Sequence, residues 1–253
     1  MYNGRTERIV ATLEARMTST RLPGKVLMPL VGKPVLWHII ERLKRSAYLD
    51  AICLATTTNA QDDVLEKLAR ELGVEVFRGS EQDVLGRILG AAQSVGAEVI
   101  VEISGDCPAI DHRSVDECLE EFFKHDVDYV ANNLNPTYPT GGFEVQVFKT
   151  SLLAGVAAHT QDPTDRAHVT YYIYTHPEHY HMRNVLAPKE ATAPWLRVVL
   201  DEVVDYQVIS AIFEALYPKN PDFSAEDVVR FLQAHPDIAT MNKNVRRKKP
   251  DEL

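Results

Sequence analysis

Cysteine is nearly absent: Cys53, Cys107 and Cys118 are all that 253 residues contain. They form no CxxC pair and no zinc-like spacing with histidine, so neither a disulfide framework nor a structural zinc site is expected, and so sparse and odd a count fits a reducing compartment. Long apolar runs are also missing. None approaches the roughly 20 residues that cross a bilayer. The N-terminus runs into a charged strand without the pattern of a signal peptide, which points to a cytoplasmic protein without membrane contact. Positive charge is in deficit, with 27 Lys and Arg against 36 Asp and Glu, a net charge of -9. A general nucleic-acid binder needs basic excess to neutralise phosphates, so this balance argues against that class. A small phosphate ligand needs only a few cations in one loop. The run Arg246-Arg247-Lys248-Lys249 is too short and isolated to change this, and the tail from Asn242 onward reads as frayed. The ending Lys249-Pro250-Asp251-Glu252-Leu253 misses an ER-retention tetrapeptide by one residue and, with no signal peptide, reads as coincidence.

What is present is a regular alternation of short apolar strands and amphipathic helices in the first half. Strands are expected at Arg8 to Leu13, Ala51 to Thr56, Val74 to Phe77, Val99 to Ile103 and Val127 to Ala131. Between them, Pro34 suits the first position of a helix with Val35, Leu36, Ile39, Ile40 and Leu43 on one face. A helix over about 61–72 groups Val64, Leu65, Leu68 and Leu72 and stops at Gly73. Ser80 with Asp83 opens another, and one more runs to about Phe123. The alternation implies a three-layer α/β fold, with a mainly parallel sheet and helices on both faces. Ligands in such sheets bind beyond the carboxyl ends of the strands.

Residues 133–194 break the rhythm with a loop rich in Asn, Pro and Gly, a strand near Glu144 to Phe148, two helical segments and a strand at His181 to Leu186. They read as an inserted arm within one domain spanning 1–253. Leu196 to Leu200 resumes the buried-strand pattern. Helices over about 202–216 and 224–235 follow, the second capped by Ser224 and Asp227.

Two strand ends carry charge. The loop from Ala15 to Lys25 holds Arg16, Arg21 and Lys25 around Thr18, Ser19, Thr20 and Gly24. Three cations with hydroxyls and free backbone N–H groups suit a triphosphate, although composition alone allows a solvated basic loop equally well. The loop matches neither the Walker A pattern nor GxGxxG. The second end is Ser104-Gly105-Asp106-Cys107-Pro108. Asp106 taken alone also reads as a turn residue, and Asp201 as a helix cap. His176, His179 and His181 with Glu178 have metal-like composition, but Pro177 and the lack of an i, i+4 helical pair favour an exposed turn. Tyr171 to Tyr174 reads as core or a dimer face rather than a stacking platform.

The run Ala15-Arg16-Met17-Thr18-Ser19-Thr20-Arg21-Leu22-Pro23-Gly24-Lys25-Val26-Leu27 resembles the signature of the cytidylyltransferases, the family of acylneuraminate and 3-deoxy-manno-octulosonate cytidylyltransferases, and most of all its spore coat polysaccharide branch. Three further blocks in the same order strengthen the resemblance: Phe77 to Arg87, Ile103 to Asp111, and Arg166-Ala167-His168-Val169-Thr170 with Tyr172-Ile173. The resemblance implies a Rossmann-like nucleotidyltransferase fold and transfer of CMP from CTP to a sugar, expected to be acidic, with release of pyrophosphate for surface polysaccharide or glycan synthesis. It implies Mg²⁺ on Asp106 and Asp201, and a triphosphate held by Arg16, Arg21 and Lys25. Ala15, Thr20, Arg78, Ser80 and Asp83 join the nucleotide set, and Glu144, Gln146 and His168 the acceptor set. A homodimer is implied as well.

Four residues depart from the family pattern: Glu14 before the Ala-Arg pair, Thr18 in place of a common Gly, Gln146 in place of a carboxylate, and Glu202 after Asp201. Glu14 needs a partner near a triphosphate, and Arg16 is a candidate. The alternatives are a nucleotidyltransferase that uses another base with a sugar or polyol phosphate, and an idle sugar-nucleotide-binding protein.

Overall fold

The computed structural model describes residues 6–246. Arg247 to Leu253, with most of the basic run and the acidic ending, lie outside the described residues. Strand β1 (Ile9–Glu14) is apolar and buried, as its composition requires. The loop after it leads to a small hairpin, β2 (Pro29–Leu30) and β3 (Lys33–Pro34), which sequence reading missed; its turn places Val31 and Gly32 at positive φ. Helix α1 (Val35–Leu43) buries Val35, Leu36, Ile39, Ile40 and Leu43 completely. Pro34 is its N-cap, one position earlier than expected. β4 (Ala51–Thr57) and α2 (Asp63–Glu71) follow, and Gly73, at φ 68°, turns the chain after α2. Val64 leaves the expected apolar face and is 48% exposed, because α2 turns only Leu65 and Ala69 fully inward.

β5 (Glu75–Gly79), α3 (Val84–Ser94), β6 (Val99–Ser104), α4 (His112–Lys124) and β7 (Tyr129–Ala131) complete the alternating half. Next come β8 (Gln146–Lys149), α5 (Thr150–His159), α6 (Pro163–Ala167), α7 (Tyr171–Thr175) and β9 (Met182–Asn184). The segment thus holds three short helices rather than two. The chain closes with α8 (Val203–Leu216), α9 (Ala225–Ala234) and α10 (Pro236–Ala239). Ser224 and Asp227 cap α9 reciprocally, as their spacing predicts.

The main sheet has seven strands in the order β5-β4-β1-β6-β8-β7-β9, all pairs parallel except those made by β8. Residues 133–194 therefore extend the sheet beyond β6, with β8 running backward between β6 and β7. On one face, α1, α2, α4, α8 and α9 pack on Ala11, Leu13, Leu54, Val101 and Val147. On the other, α3, α5 and α7 pack on Val10, Ala55, Ile100 and Phe148. Leu196 to Leu200 is buried apart from a little residual exposure, but it joins the fold through a single bridge, Thr140 to Arg197, and not as a ladder strand. Trp195, immediately before it, is 71% exposed.

Candidate active site

β1 and β6 are neighbours, so the loops that leave their carboxyl ends emerge side by side. Gly105 makes this possible. Its N–H donates to Glu14 O at 2.8 Å, and a Cβ on Gly105 would lie 2.5 Å from that oxygen. The first loop folds back where Gly24, at φ 72°, donates its N–H to Met17 O at 2.9 Å. That turn carries Lys25 inward. Leu200 N–H meets Asp106 O at 2.9 Å and brings Asp201 to the same place. Two carboxylates 95 residues apart thus share one ammonium: Lys25 Nζ lies 3.1 Å from Asp106 Oδ2 and 3.2 Å from Asp201 Oδ1, and donates to Leu200 O at 2.7 Å. Burial works against the charge on Lys25, but Asp106 and Asp201 outweigh it and lift the Lys25 pKa. Burial would likewise raise the Asp106 carboxyl; Lys25 and a hydrogen bond from Ser104 hold it below the usual range.

Asp201 is gripped from both sides. Arg21 Nη2 reaches its Oδ1 at 2.8 Å and Arg197 Nη2 its Oδ2 at 2.8 Å. Arg197 is fixed in turn by the fully buried Asp205, at 2.9 Å from Nε. Asp205 Oδ2 also accepts from the N–H groups of Asp201 and Glu202, at 3.1 and 2.9 Å. The departure at Glu202 therefore has a structural reason: Glu202 to Asp205 is the capping box of α8. Arg21 Nη1 is buried and has no hydrogen-bond partner among the described residues, which leaves a donor for a ligand.

Arg16 and Thr18 both turn to Glu81, a residue sequence reading passed over. Arg16 Nη1 lies 2.9 Å from Glu81 Oε1, the Thr18 hydroxyl donates to the same oxygen, and Asn59 Nδ2 donates to Oε2 at 2.7 Å. Thr18 needs no glycine, since among the described residues Val31 alone has positive φ without being Gly. Ala15 is buried, Thr20 is exposed, and Met17 N–H is held by the buried Asp62 at 2.8 Å. Arg78 is elsewhere. Its guanidinium pairs with Asp63 and Glu66 at 2.6 and 3.0 Å and donates to Thr57 O and Asn59 O, on the α2 side of β5. Ser80 and Asp83 start α3: Ser80 Oγ accepts from Asp83 N, and Asp83 Oδ1 accepts from Gly86 N at 2.9 Å. Glu14 finds its partner in Arg87 at 3.6 Å, not in Arg16.

Across β6 a second polar group forms. Gln146 Nε2 donates to Glu102 Oε2 at 2.6 Å, while its Oε1 accepts from Tyr129 Oη at 2.5 Å and from the Thr170 hydroxyl. Glu144 precedes β8 beside this group. The His168 ring lies 6.2 Å from that of Tyr171. His176 stacks on Tyr172 with centroids 4.1 Å apart, and no cluster of three His, Cys, Asp or Glu among the described residues would hold a metal ion.

The cytidylyltransferase family matches residues 10–244. The chain belongs to that family. It is 33% identical to the spore coat polysaccharide biosynthesis protein SpsF of Bacillus subtilis, over 92% of the chain and 97% of the relative. It is 35% identical to a 3-deoxy-manno-octulosonate cytidylyltransferase of Geobacter sulfurreducens, over only 44% of each. Among solved structures, a cytidylyltransferase from Leptospira borgpetersenii superposes with a TM-score of 0.84 at 28% identity, covering 96% of the chain and 98% of that structure. As a cytidylyltransferase the chain is a CTP-dependent nucleotidyltransferase, and at the ends of β1 and β6 the cations Arg21 and Lys25 face the carboxylates of Asp106 and Asp201. No helix among the described residues is long and apolar enough to cross a membrane.

Proposed function

We propose that the chain transfers CMP from CTP to a sugar and releases pyrophosphate, in the cytoplasm and as a homodimer, for polysaccharide synthesis. The observation that carries this reading is the Lys25 ammonium held between Asp106 and Asp201, at the end of a loop that also presents Arg16 and Arg21. Nucleotidyl transfer demands positioning and neutralisation of charge more than covalent help from the protein. An acceptor oxygen forms a bond to the α-phosphorus, the bond from that phosphorus to the α,β-bridging oxygen breaks, pyrophosphate leaves with the electron pair, and the acceptor's proton is lost to water. Arg21, with a free Nη1, and Lys25 neutralise the departing pyrophosphate, and Arg16 exchanges Glu81 for phosphate oxygens.

Asp106 and Asp201 converge on one cation, and two carboxylates completed by waters and phosphate are a donor set that Mg²⁺ accepts. Bound there, Mg²⁺ supplies Lewis-acid neutralisation of the triphosphate. Lys25, Arg21 and Arg197 keep both carboxylates ionised and oriented toward that place. The acidic acceptor implied by the resemblance has narrower support, because the relatives named for an acidic sugar match less than half of the chain. The test is melting temperature with CTP, UTP, GTP and dTTP in Mg²⁺, followed by pyrophosphate release across a panel of sugars. Stabilisation by CTP above the other three is expected. Equal stabilisation by all four, or none by CTP, contradicts the reading.

A further inference from the structure

From Gln233 to Arg246 every residue is exposed or partly exposed except Asn242, which is 1% exposed. A polar side chain buried in an otherwise exposed segment is held there by its partners. Asn242 Nδ2 donates to Asp205 Oδ1 at 2.8 Å and to Arg197 O at 3.2 Å. Two acceptors before this nitrogen fix which way the amide is turned. Asn242 Oδ1 is buried and has no hydrogen-bond partner among the described residues. The amide leaves its own acceptor unmet, which is unfavourable, and ties two other groups together with its donor.

Those two groups stand directly behind Asp201. Asp205 Oδ1 accepts from Arg197 Nε at 2.9 Å as well as from Asn242. Asp205 Oδ2 accepts from Arg197 Nη2 and from the N–H groups of Asp201 and Glu202. Arg197 Nη2 is shared with Asp201 Oδ2, at 2.8 Å. Asn242 therefore touches both residues that hold the Asp201 carboxylate from behind.

Asp201 needs such a hold because the segment that carries it is not a ladder strand. Leu196 to Leu200 is fixed by Thr140 N–H to Leu196 O at 2.7 Å, Val198 N–H to Thr140 O at 3.1 Å and Leu200 N–H to Asp106 O at 2.9 Å. For the Arg197 carbonyl, the part that a neighbouring strand would play falls to a side chain from the far end of the chain. Arg21 and Lys25, the other cations on Asp201, are shared with the triphosphate in the reading above. Arg197 is bound into Asp205 instead, so the orientation of Asp201 in the loaded site rests on Arg197 and on what fixes it.

We propose that Asn242 is a positioning residue for the divalent cation: by tying the Arg197 carbonyl to the Asp205 carboxylate, it fixes the direction in which Asp201 faces Asp106. This rests on the cytidylyl-transfer reading and on Mg²⁺ at Asp106 and Asp201. Mg²⁺ demands near-ideal octahedral geometry, so a small tilt of one carboxylate lowers its affinity. Groups that orient a ligand from behind govern metal affinity without touching the metal.

The test reads cation binding rather than turnover. Mn²⁺ is titrated into the whole chain carrying a non-hydrolysable CTP analogue, and free Mn²⁺ is followed by its paramagnetic resonance signal. Asn242→Leu keeps the volume and removes the donor; Asn242→Ala removes both and cannot clash. Leu153→Ala, buried on the other face of the sheet, is the control that lowers the melting temperature without touching these bonds. Both Asn242 variants should weaken Mn²⁺ binding by about threefold to tenfold, at or below the low end of what loss of a ligand's direct partner costs. Their affinity for the analogue without cation should not change, and the Mg²⁺ concentration for half-maximal pyrophosphate release should rise by the same factor as for Mn²⁺. Leu153→Ala should bind Mn²⁺ as the natural chain does. Unchanged Mn²⁺ binding in both Asn242 variants overturns the inference, and so does equal weakening in Leu153→Ala, which would make Asn242 a general contributor to stability. A natural chain that binds the analogue but no Mn²⁺ removes the metal reading and this inference together. The reading of cytidylyl transfer itself falls only if CTP fails to bind.

Discussion

Around Lys25 the carboxylates of Asp106 and Asp201 meet cations, whereas on β6 the buried Glu102 carboxyl meets an amide and neighbouring carboxylates. Asp106 and Asp201 share Lys25, and Asp201 also holds Arg21 and Arg197. On β6, Glu102 Oε2 accepts from Gln146 Nε2. The difference fits the cytidylyl-transfer reading proposed above. A site for a polyanion needs fixed cations, and buried cations need carboxylates to hold them in place.

The largest effect expected on stability comes from Asp205, the buried anchor of the first arrangement. Asp205→Ala leaves the Arg197 guanidinium without its main partner and removes the cap of α8. Breaking such a pair costs about 3–5 kcal/mol, visible as a lower urea midpoint. A shift under about 1 kcal/mol would mean that the arginines on this side are not held by carboxylates at all.

Gly105→Ala strikes the joint between the two sides. Its Cβ would sit 2.5 Å from a backbone oxygen that cannot rotate away. A loss of about 1–3 kcal/mol is expected, with a fall in kcat from displacement of Asp106. Unchanged melting and activity would show that β1 and β6 need not approach so closely at this point.

The Glu102 side is sharpened by pH. The Glu102 carboxyl is raised in the folded protein, so the native state holds this proton more tightly than the unfolded chain. Its contribution to stability is present at low pH and is lost as pH rises above the ordinary carboxyl value of 4.5 toward the raised one. Glu102→Gln removes a group that is increasingly unfavourable in this window. Its melting temperature should fall less than that of the natural chain between pH 5 and 8. Parallel curves would contradict the negative surroundings inferred for Glu102.

The smallest effect is expected from Arg78→Ala. Arg78 belongs to neither side, and its pairs with Asp63 and Glu66 are near the surface. Stability should change by less than about 1 kcal/mol, and kcat/KM for CTP by less than about twofold. A tenfold loss would restore it to the nucleotide site.

These residues also show what sequence can and cannot convey. β1, β4, β6 and α1 were legible because burial in a parallel sheet forces continuous apolar runs, and an amphipathic helix writes its face at fixed spacing. Lys25, Asp106 and Asp201 were singled out through the family resemblance, at strand ends where such sheets place ligands, and the structure brings the three side chains together. Arg78 entered the nucleotide set through the resemblance of Phe77 to Arg87, which carries no information on its partners; in the structure its guanidinium pairs with Asp63 and Glu66. Glu81 was missed because its partners, Arg16, Thr18 and Asn59, lie far from it in the chain. Glu102 is one polar residue in an apolar strand of the sequence, and only the antiparallel insertion of β8 supplies Gln146 beside it. The departures at Glu14 and Glu202 likewise gain their reasons from Arg87 and Asp205, neither of which a linear pattern points to.

The central claim is that Lys25, set between Asp106 and Asp201, stabilises the pyrophosphate leaving CTP. The most direct measurement is pyrophosphate release from CTP by Lys25→Met beside the natural chain, at equal Mg²⁺ and with the best acceptor of the panel. Removal of one such cation is expected to lower kcat by about 100-fold or more in a chain that still melts cooperatively. A folded Lys25→Met that releases pyrophosphate at the natural rate would contradict the account.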